Sequence, residues 1–254
     1  MTSAEPARVT AVRSLAASAW AFRWRVELEA QARFGRLATR LEALGVSPAI
    51  IALARRSAED ERRHAALCAE VAAELGAEPG PASPVEPREI APPGLELRGR
   101  VLYELVAACC VTETESMAVL TTLLEAARTD RMRSVLHQLA ADEVRHSRLG
   151  WAHLASEHAA GVTGFLAPLV PGMLQGSAPP DLFQAVARER EDELLLTYGV
   201  LPHRLKRQVF TTTLEEVVFP GLESCGVDAG PGRAWLASRQ GEIPGGRSPG
   251  GGAA

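Results

Sequence analysis

Apolar residues recur along this chain at helical spacing, and the alternation that marks β-strands is almost absent, which predicts an all-α protein. A first helix is expected from about Ala7 to Leu44, closed by Gly45. Ser47 and Pro48 open a second, with an N-cap hydroxyl and a proline in the first turn. It stops near Leu75, before Gly76. Residues 77–94 are irregular and hold six prolines. The third helix runs from about Leu95 to Ala127, and Thr129 with Asp130 caps a fourth that reaches Ala159 before Gly161. The first and third links are a few residues long, so each pair of helices forms an antiparallel hairpin. The middle link, at roughly 3 Å per extended residue, can cross the length of a bundle. Two hairpins joined by one long crossover make a four-helix bundle.

Past Gly161 the pattern is less regular. Pro179-Pro180-Asp181 reads as the start of a helix to about Tyr198. Pro202 starts another that ends near Pro220-Gly221, and a last short helix spans Pro231 to Gln240. The chain then divides into a bundle (residues 1–160), a C-terminal helical extension packed on it (161–240) and a disordered tail rich in glycine (241–254).

The same face pattern exposes a repeat. Ala58-Glu59-Asp60-Glu61-Arg62-Arg63-His64-Ala65-Ala66-Leu67 and Ala140-Ala141-Asp142-Glu143-Val144-Arg145-His146-Ser147-Arg148-Leu149 both read Ala-x-Asp-Glu-x-Arg-His-x-x-Leu. Glu and His one turn apart share a helix face and can reach one point beside it. Carboxylate oxygen and imidazole nitrogen at that spacing suit a first-row transition metal. Glu61 shares its stripe with Ala54, Ala58, Ala65, Cys68 and Val71, and Glu143 with Leu136, Leu139, Ala140, Ser147 and Leu154. Both acids therefore point at the core, where a carboxylate is costly unless paired or bound to a cation. Glu59, Arg62, Arg63 and Arg145 fit a solvated face instead.

A two-metal site needs one carboxylate from each remaining helix. On the first, Glu27 lies with Trp20, Trp24, Phe34 and Leu41, whereas Glu29 lies with Phe22, Arg25, Arg33 and Arg36 and is read as facing water. On the third, Glu113 shares a stripe with Val106, Cys109, Cys110, Met117, Leu120 and Leu124. Glu115 is its alternative, or a residue behind the ligands. The expected metal ligands are Glu27, Glu61, His64, Glu113, Glu143 and His146, four carboxylates whose charge balances two divalent ions. Asp60 and Asp142 each stand ready to accept the outer N–H of a histidine on the opposing helix. His137, His153, His158 and His203 read as surface or capping residues, and Tyr103 as core packing rather than a redox group.

Composition narrows the partners. A net charge of −4 gives no basic excess for nucleic acid. No uninterrupted apolar run looks long enough to span a bilayer, so the expectation is a cytoplasmic protein without a membrane contact. Cys68, Cys109, Cys110 and Cys225 form no C-x-x-C pair, and three of them fit helical apolar patterns.

The pattern Glu27, Asp60-Glu61-x-x-His64, Glu113, Asp142-Glu143-x-x-His146 resembles the ferritin-like di-iron carboxylate superfamily, which includes ferritins, rubrerythrins and bacterial multicomponent monooxygenases. The resemblance covers about residues 7–160. Leu139 stands where some N-oxygenases of that superfamily carry a third histidine. The resemblance implies two iron ions, with manganese or a mixed pair fitting the same ligands. It implies O2 and a small-molecule substrate as reactants, electrons from a separate reductase, and it admits a homodimer. The expected activity is oxidation of a small molecule by activated O2. The alternatives are iron handling, peroxide scavenging, or a non-catalytic metal-binding bundle.

Overall fold

The computed structural model describes residues 4–78, 80 and 85–241. The expected tail falls outside them, apart from Gly241. The described residues contain helices and no strands, arranged as a ferritin-like bundle. Its four long helices are α1 (Ala4–Ala43), α2 (Pro48–Leu75), α3 (Leu97–Ala126) and α4 (Asp130–Ala159). Gly45, at φ 67°, turns the chain between α1 and α2, and Gly76, at φ 102°, closes α2 with its N–H on the Ala72 and Ala73 carbonyls. Thr129 caps α4 by accepting from the Met132 N–H. Ser47 does not cap α2 with its hydroxyl. Its carbonyl takes the Ile50 and Ile51 N–H groups, and Pro48 at the first turn leaves no N–H there to satisfy.

The crossover is held by charge. Arg33, Arg36 and Arg40, along one side of α1, converge on Glu104 of α3, which is fully buried. Arg33 and Arg36 also donate to the carbonyls of Pro87 and Arg88, and Arg40 pairs with Glu89. Residues 87–89 of the crossover thereby gain fixed partners on α1.

Two apolar layers fill the bundle. One gathers Trp20, Trp24, Cys68, Leu120, Leu136 and Leu139; the other gathers Phe34, Leu37, Leu41, Ala54, Leu105 and Leu149. The candidate ligands fall between these layers on every helix. α3 is long and apolar enough to cross a membrane by length and composition, which the sequence reading did not anticipate. In this fold it is the third bundle helix and carries Glu104 and Glu113 inward.

The extension has a core of its own making with the bundle. A 3₁₀ turn at Gly164–Leu169 leads into α5 (Val170–Ser177), followed by α6 (residues 203–224) and α7 (Gly230–Gly241). Leu166, Val170, Leu174, Phe210, Leu214 and Phe219 bury against Leu102, Val106, Val111 and Leu154 of α3 and α4. The helix expected from Asp181 to Tyr198 is not there: short 3₁₀ pieces at Arg188–Glu191 and Glu193–Tyr198 replace it. The run Arg188-Glu189-Arg190-Glu191 has no buried residue, and Asp192 bonds locally to the Leu194 N–H and across to Arg8. Such side-chain bonds compete with helix where no apolar stripe pulls the chain down. α6, by contrast, continues past Pro220 to Ser224, because a π-helical stretch at Leu214–Val218 lets Pro220 sit at the start of a fresh turn.

Candidate metal centre

The twin Asp-Glu-x-Arg-His segments lie on α2 and α4, which pack with each motif facing the other. Glu61, His64, Glu143 and His146 are each at most 1% exposed. His146 Nδ1 lies 3.0 Å from Glu61 Oε1 and 3.1 Å from Glu143 Oε2, and His64 Nδ1 lies 3.2 Å from Glu61 Oε2. Both imidazoles therefore aim Nδ1 at the carboxylates. Glu113 arrives from α3 at the end of a π-helical stretch, Val106–Glu113. Ligand atoms of Glu61, Glu113, Glu143 and His146 all fall within 4.8 Å of one another, and so do those of Glu61, His64 and His146. Phe34 closes one side, its ring centroid 5.2 Å from that of His146.

The outer nitrogens meet the two aspartates crosswise. His64 Nε2 is 3.2 Å from Asp142 Oδ2, and His146 Nε2 is 3.6 Å from Asp60 Oδ2, beyond hydrogen-bond reach. A carboxylate that accepts a hydrogen bond from Nε2–H keeps the proton there and leaves Nδ1 with a lone pair for a cation. Arg63 Nη2 reaches Asp60 at 2.6 Å and Asp142 at 2.8 Å, while Arg145 pairs with Asp60 at 2.9 Å and also with Asp142. These arginines were read as solvated. Their side chains are partly exposed but tie the two aspartates into one quartet. The repeat held the signal, since Arg stands at the same place in both copies.

The electrostatics suit a cation. Burial opposes ionisation of Glu61, yet His146 and His64 draw its carboxyl down to about 2. Burial also opposes ionisation of Glu143, and the His146 contact pulls it below its ordinary value. Burial and the nearby Glu143 and Glu61 push Glu113 well up. The histidines rise against their own burial, held by the acids around them. Protons thus neutralise this cluster, and a divalent cation must displace them. Glu61 Oε1, an acceptor that a cation would satisfy, is buried with no hydrogen bond aligned on it, although His146 Nδ1 lies 3.0 Å away. Carboxylates with imidazole Nδ1 are a donor set for a first-row transition metal, so the residues present fit one.

Glu27 is buried on α1 but lies outside both ligand groups. Arg23 Nε donates to its Oε1 at 2.9 Å. Burial and Glu61 nevertheless outweigh Arg23 and push the Glu27 carboxyl up to about 8. Arg23 was not singled out in the sequence, although its place four residues before Glu27 on one helix face was the available sign. Glu29 pairs with Arg33, away from the ligands. Glu115 lies outside both ligand groups, and burial raises its carboxyl against the pull of Lys206 and Arg23.

Two of the four remaining histidines are not on the surface. His153 is 1% exposed with neither ring nitrogen hydrogen-bonded, and burial lowers its basicity. His203 is buried at the start of α6 with Nε2 3.0 Å from the Asp181 carbonyl. Spacing to a partner was the wrong criterion for these, because burial is set by what packs across a helix and not by spacing along it. His137 and His158 are exposed. Tyr103 is buried among the residues that pack on the extension.

Comparison with curated proteins and with solved structures gave no match. The family model described as Rubrerythrin matches residues 22–151, just over half of the chain. That stretch contains all six expected ligands, both aspartates and the arginines that bridge them. The chain therefore belongs to the Rubrerythrin family, within the ferritin-like di-iron carboxylate superfamily.

Proposed function

We propose that the protein holds two iron ions in this cluster and uses them to activate O2 for oxidation of a small molecule. The observation that carries the reading is the pair of overlapping donor groups, which share Glu61 and His146 at the centre of a dry bundle. Glu61, Glu113, Glu143 and His146 would hold one ion, and Glu61, His64 and Glu27 would complete the surroundings of the other. Four carboxylates offset the charge of two divalent ions, which makes the site tolerable in a core. Manganese suits the same donors.

Iron, once bound, supplies the electrons for reducing O2 that no carboxylate or imidazole can provide. The chain's own contribution is orientation and dryness. Asp142 sets the His64 tautomer and Asp60 faces His146, the two apolar layers exclude water from either end, and Phe34 covers His146. Reducing equivalents would come from a separate cytosolic reductase.

The test is iron content and O2 reactivity of the reconstituted protein, with Glu61→Ala and Glu143→Ala as controls. The expected result is about two iron atoms per chain, absent from both variants, with a transient absorbance when O2 meets the Fe(II) form. Uptake of many iron atoms per chain would replace this reading with storage. Turnover of Fe(II) or H2O2 alone would replace it with iron handling or peroxide scavenging. A wild type that binds no metal specifically would sink it.

A further inference from the structure

Arg23 sets a guanidinium directly against the candidate ligands. Its Nε donates to Glu27 Oε1 at 2.9 Å, and its Nη2 donates to Ser116 Oγ at 3.1 Å and lies 3.9 Å from Glu143 Oε1. Ser116 Oγ in turn donates to Glu143 Oε1 at 3.1 Å. The Arg23 side chain is 21% exposed, against 7% for Glu27 and 2% for Glu143. Arg23 therefore links the buried carboxylates to solvent.

The charges around it leave one over. Four carboxylates and two divalent ions cancel. Asp60 and Asp142 cancel against Arg63 and Arg145, and the one carboxylate of Glu115 stands against two cations, Lys206 more strongly than Arg23. A guanidinium cannot shed its proton. Once the Glu27 oxygens turn to a cation, Arg23 keeps its charge, loses its carboxylate partner, keeps only the neutral Ser116 hydroxyl and stays half-buried, which is costly without an anion. Its planar fork matches a carboxylate or an oxyanion in two-point contact.

Resting on the two-metal reading above, we propose that Arg23 is an anion-binding residue of the loaded site, exchanging Glu27 for a carboxylate-sized anion. That anion is either the carboxylate of the oxidised small molecule or an inorganic oxyanion. Because Arg23 competes with a cation for Glu27, anion and metal favour each other's binding by the same factor.

The test is calorimetric titration of the full chain with Mn2+, alone and with acetate or phosphate, in wild type, Arg23→Gln and Arg23→Lys. Acetate is expected to tighten Mn2+ binding to the wild type by roughly fivefold or more, and phosphate alone doing so assigns the inorganic source. Arg23→Gln is expected to bind Mn2+ more tightly than wild type without acetate and to ignore the anion, while Arg23→Lys keeps part of the response. Unaltered helix melting of both variants without metal guards against misfolding. An equal acetate response in Arg23→Gln would mean that the anion sits on the metal, and would overturn the assignment. Two bound Mn2+ with no response to either anion would overturn it alone, whereas fewer than two under every condition would overturn the two-metal reading with it.

Discussion

At the scale of residues, the site is a set of exchanges between one helix and the next. Asp142 hydrogen-bonds His64 and Asp60 faces His146, so each motif presents a carboxylate to the histidine of its twin. Removing the acceptor with Asp142→Ala leaves His64 free to turn or to take the wrong tautomer. Metal affinity should fall roughly 10–100-fold, as it does when such outer partners are lost. A competitive chelator titration reads this directly, and an unchanged affinity would mean that packing alone fixes the ring. Protons give a second handle. Glu27 is pushed up to about 8, Glu113 is raised, and both histidines are raised. Glu27 at about 8 holds a proton near neutrality, and the others keep theirs to higher pH than usual. A cation must therefore expel protons, and affinity rises with pH through about 8 and falls in acid. Titration in buffers of different ionisation enthalpy should show net proton release, and a pH-independent affinity would refute the proton-filled cluster. The repeat made the Glu and His pairs legible because both residues are read from one helix. Arg63 and Arg145 were misread because a long side chain can leave a surface position and cross to another helix, which spacing along one helix does not report.

At the scale of elements, the four long helices, their hairpins and the crossover could be read from periodicity and breakers, to within a few residues at each end. The π-helical stretch Val106–Glu113 could not. It breaks the single stripe expected on α3: Val106 and Cys110 pack toward the extension, while Cys109 packs toward the bundle. No local residue demands that widened turn, and Thr112 and Thr114 merely accommodate it by bonding to carbonyls five residues back. What fits it is α4, which approaches at Gly150. A Cβ there would lie 2.5 Å from Cys109 Cβ and 2.9 Å from Cys110 Sγ. Gly150→Ala should therefore force α3 and α4 apart at a cost of about 1–3 kcal/mol. Glu113, the last residue of the π-helical stretch, should move with it. A lowered melting temperature together with weakened metal binding would be the signature, and a variant that matches wild type in both would show the approach to be slack. The 3₁₀ pieces at 188–198 were missed for the opposite reason: there a charged run has local partners but no buried face.

At the scale of the whole molecule, the question is whether the extension is a passenger or a wall of the bundle. Leu102, Val106 and Val111 of α3 share one apolar core with Phe210, Leu214, Phe219 and Leu222. Gly221 admits the Trp151 ring so closely that a Cβ would lie 2.5 Å from it. α3 thus has one face on the extension and another on the ligands, and neither unit can unfold without stripping a face of this helix. The expected behaviour is one cooperative melting transition. Metal should raise it, by about 2.7 kcal/mol of stability at a hundredfold excess over its Kd. Phe219→Ala, although on the extension, should lower the same transition by about 3–5 kcal/mol, the usual cost of emptying a buried aromatic position. Glu61→Ala should abolish the metal-dependent shift and leave the Phe219→Ala penalty in place. Calorimetry with and without Mn2+ separates the cases. Two transitions, with Phe219→Ala moving only the one that metal leaves alone, would make the extension an independent unit and the shared core a mere contact.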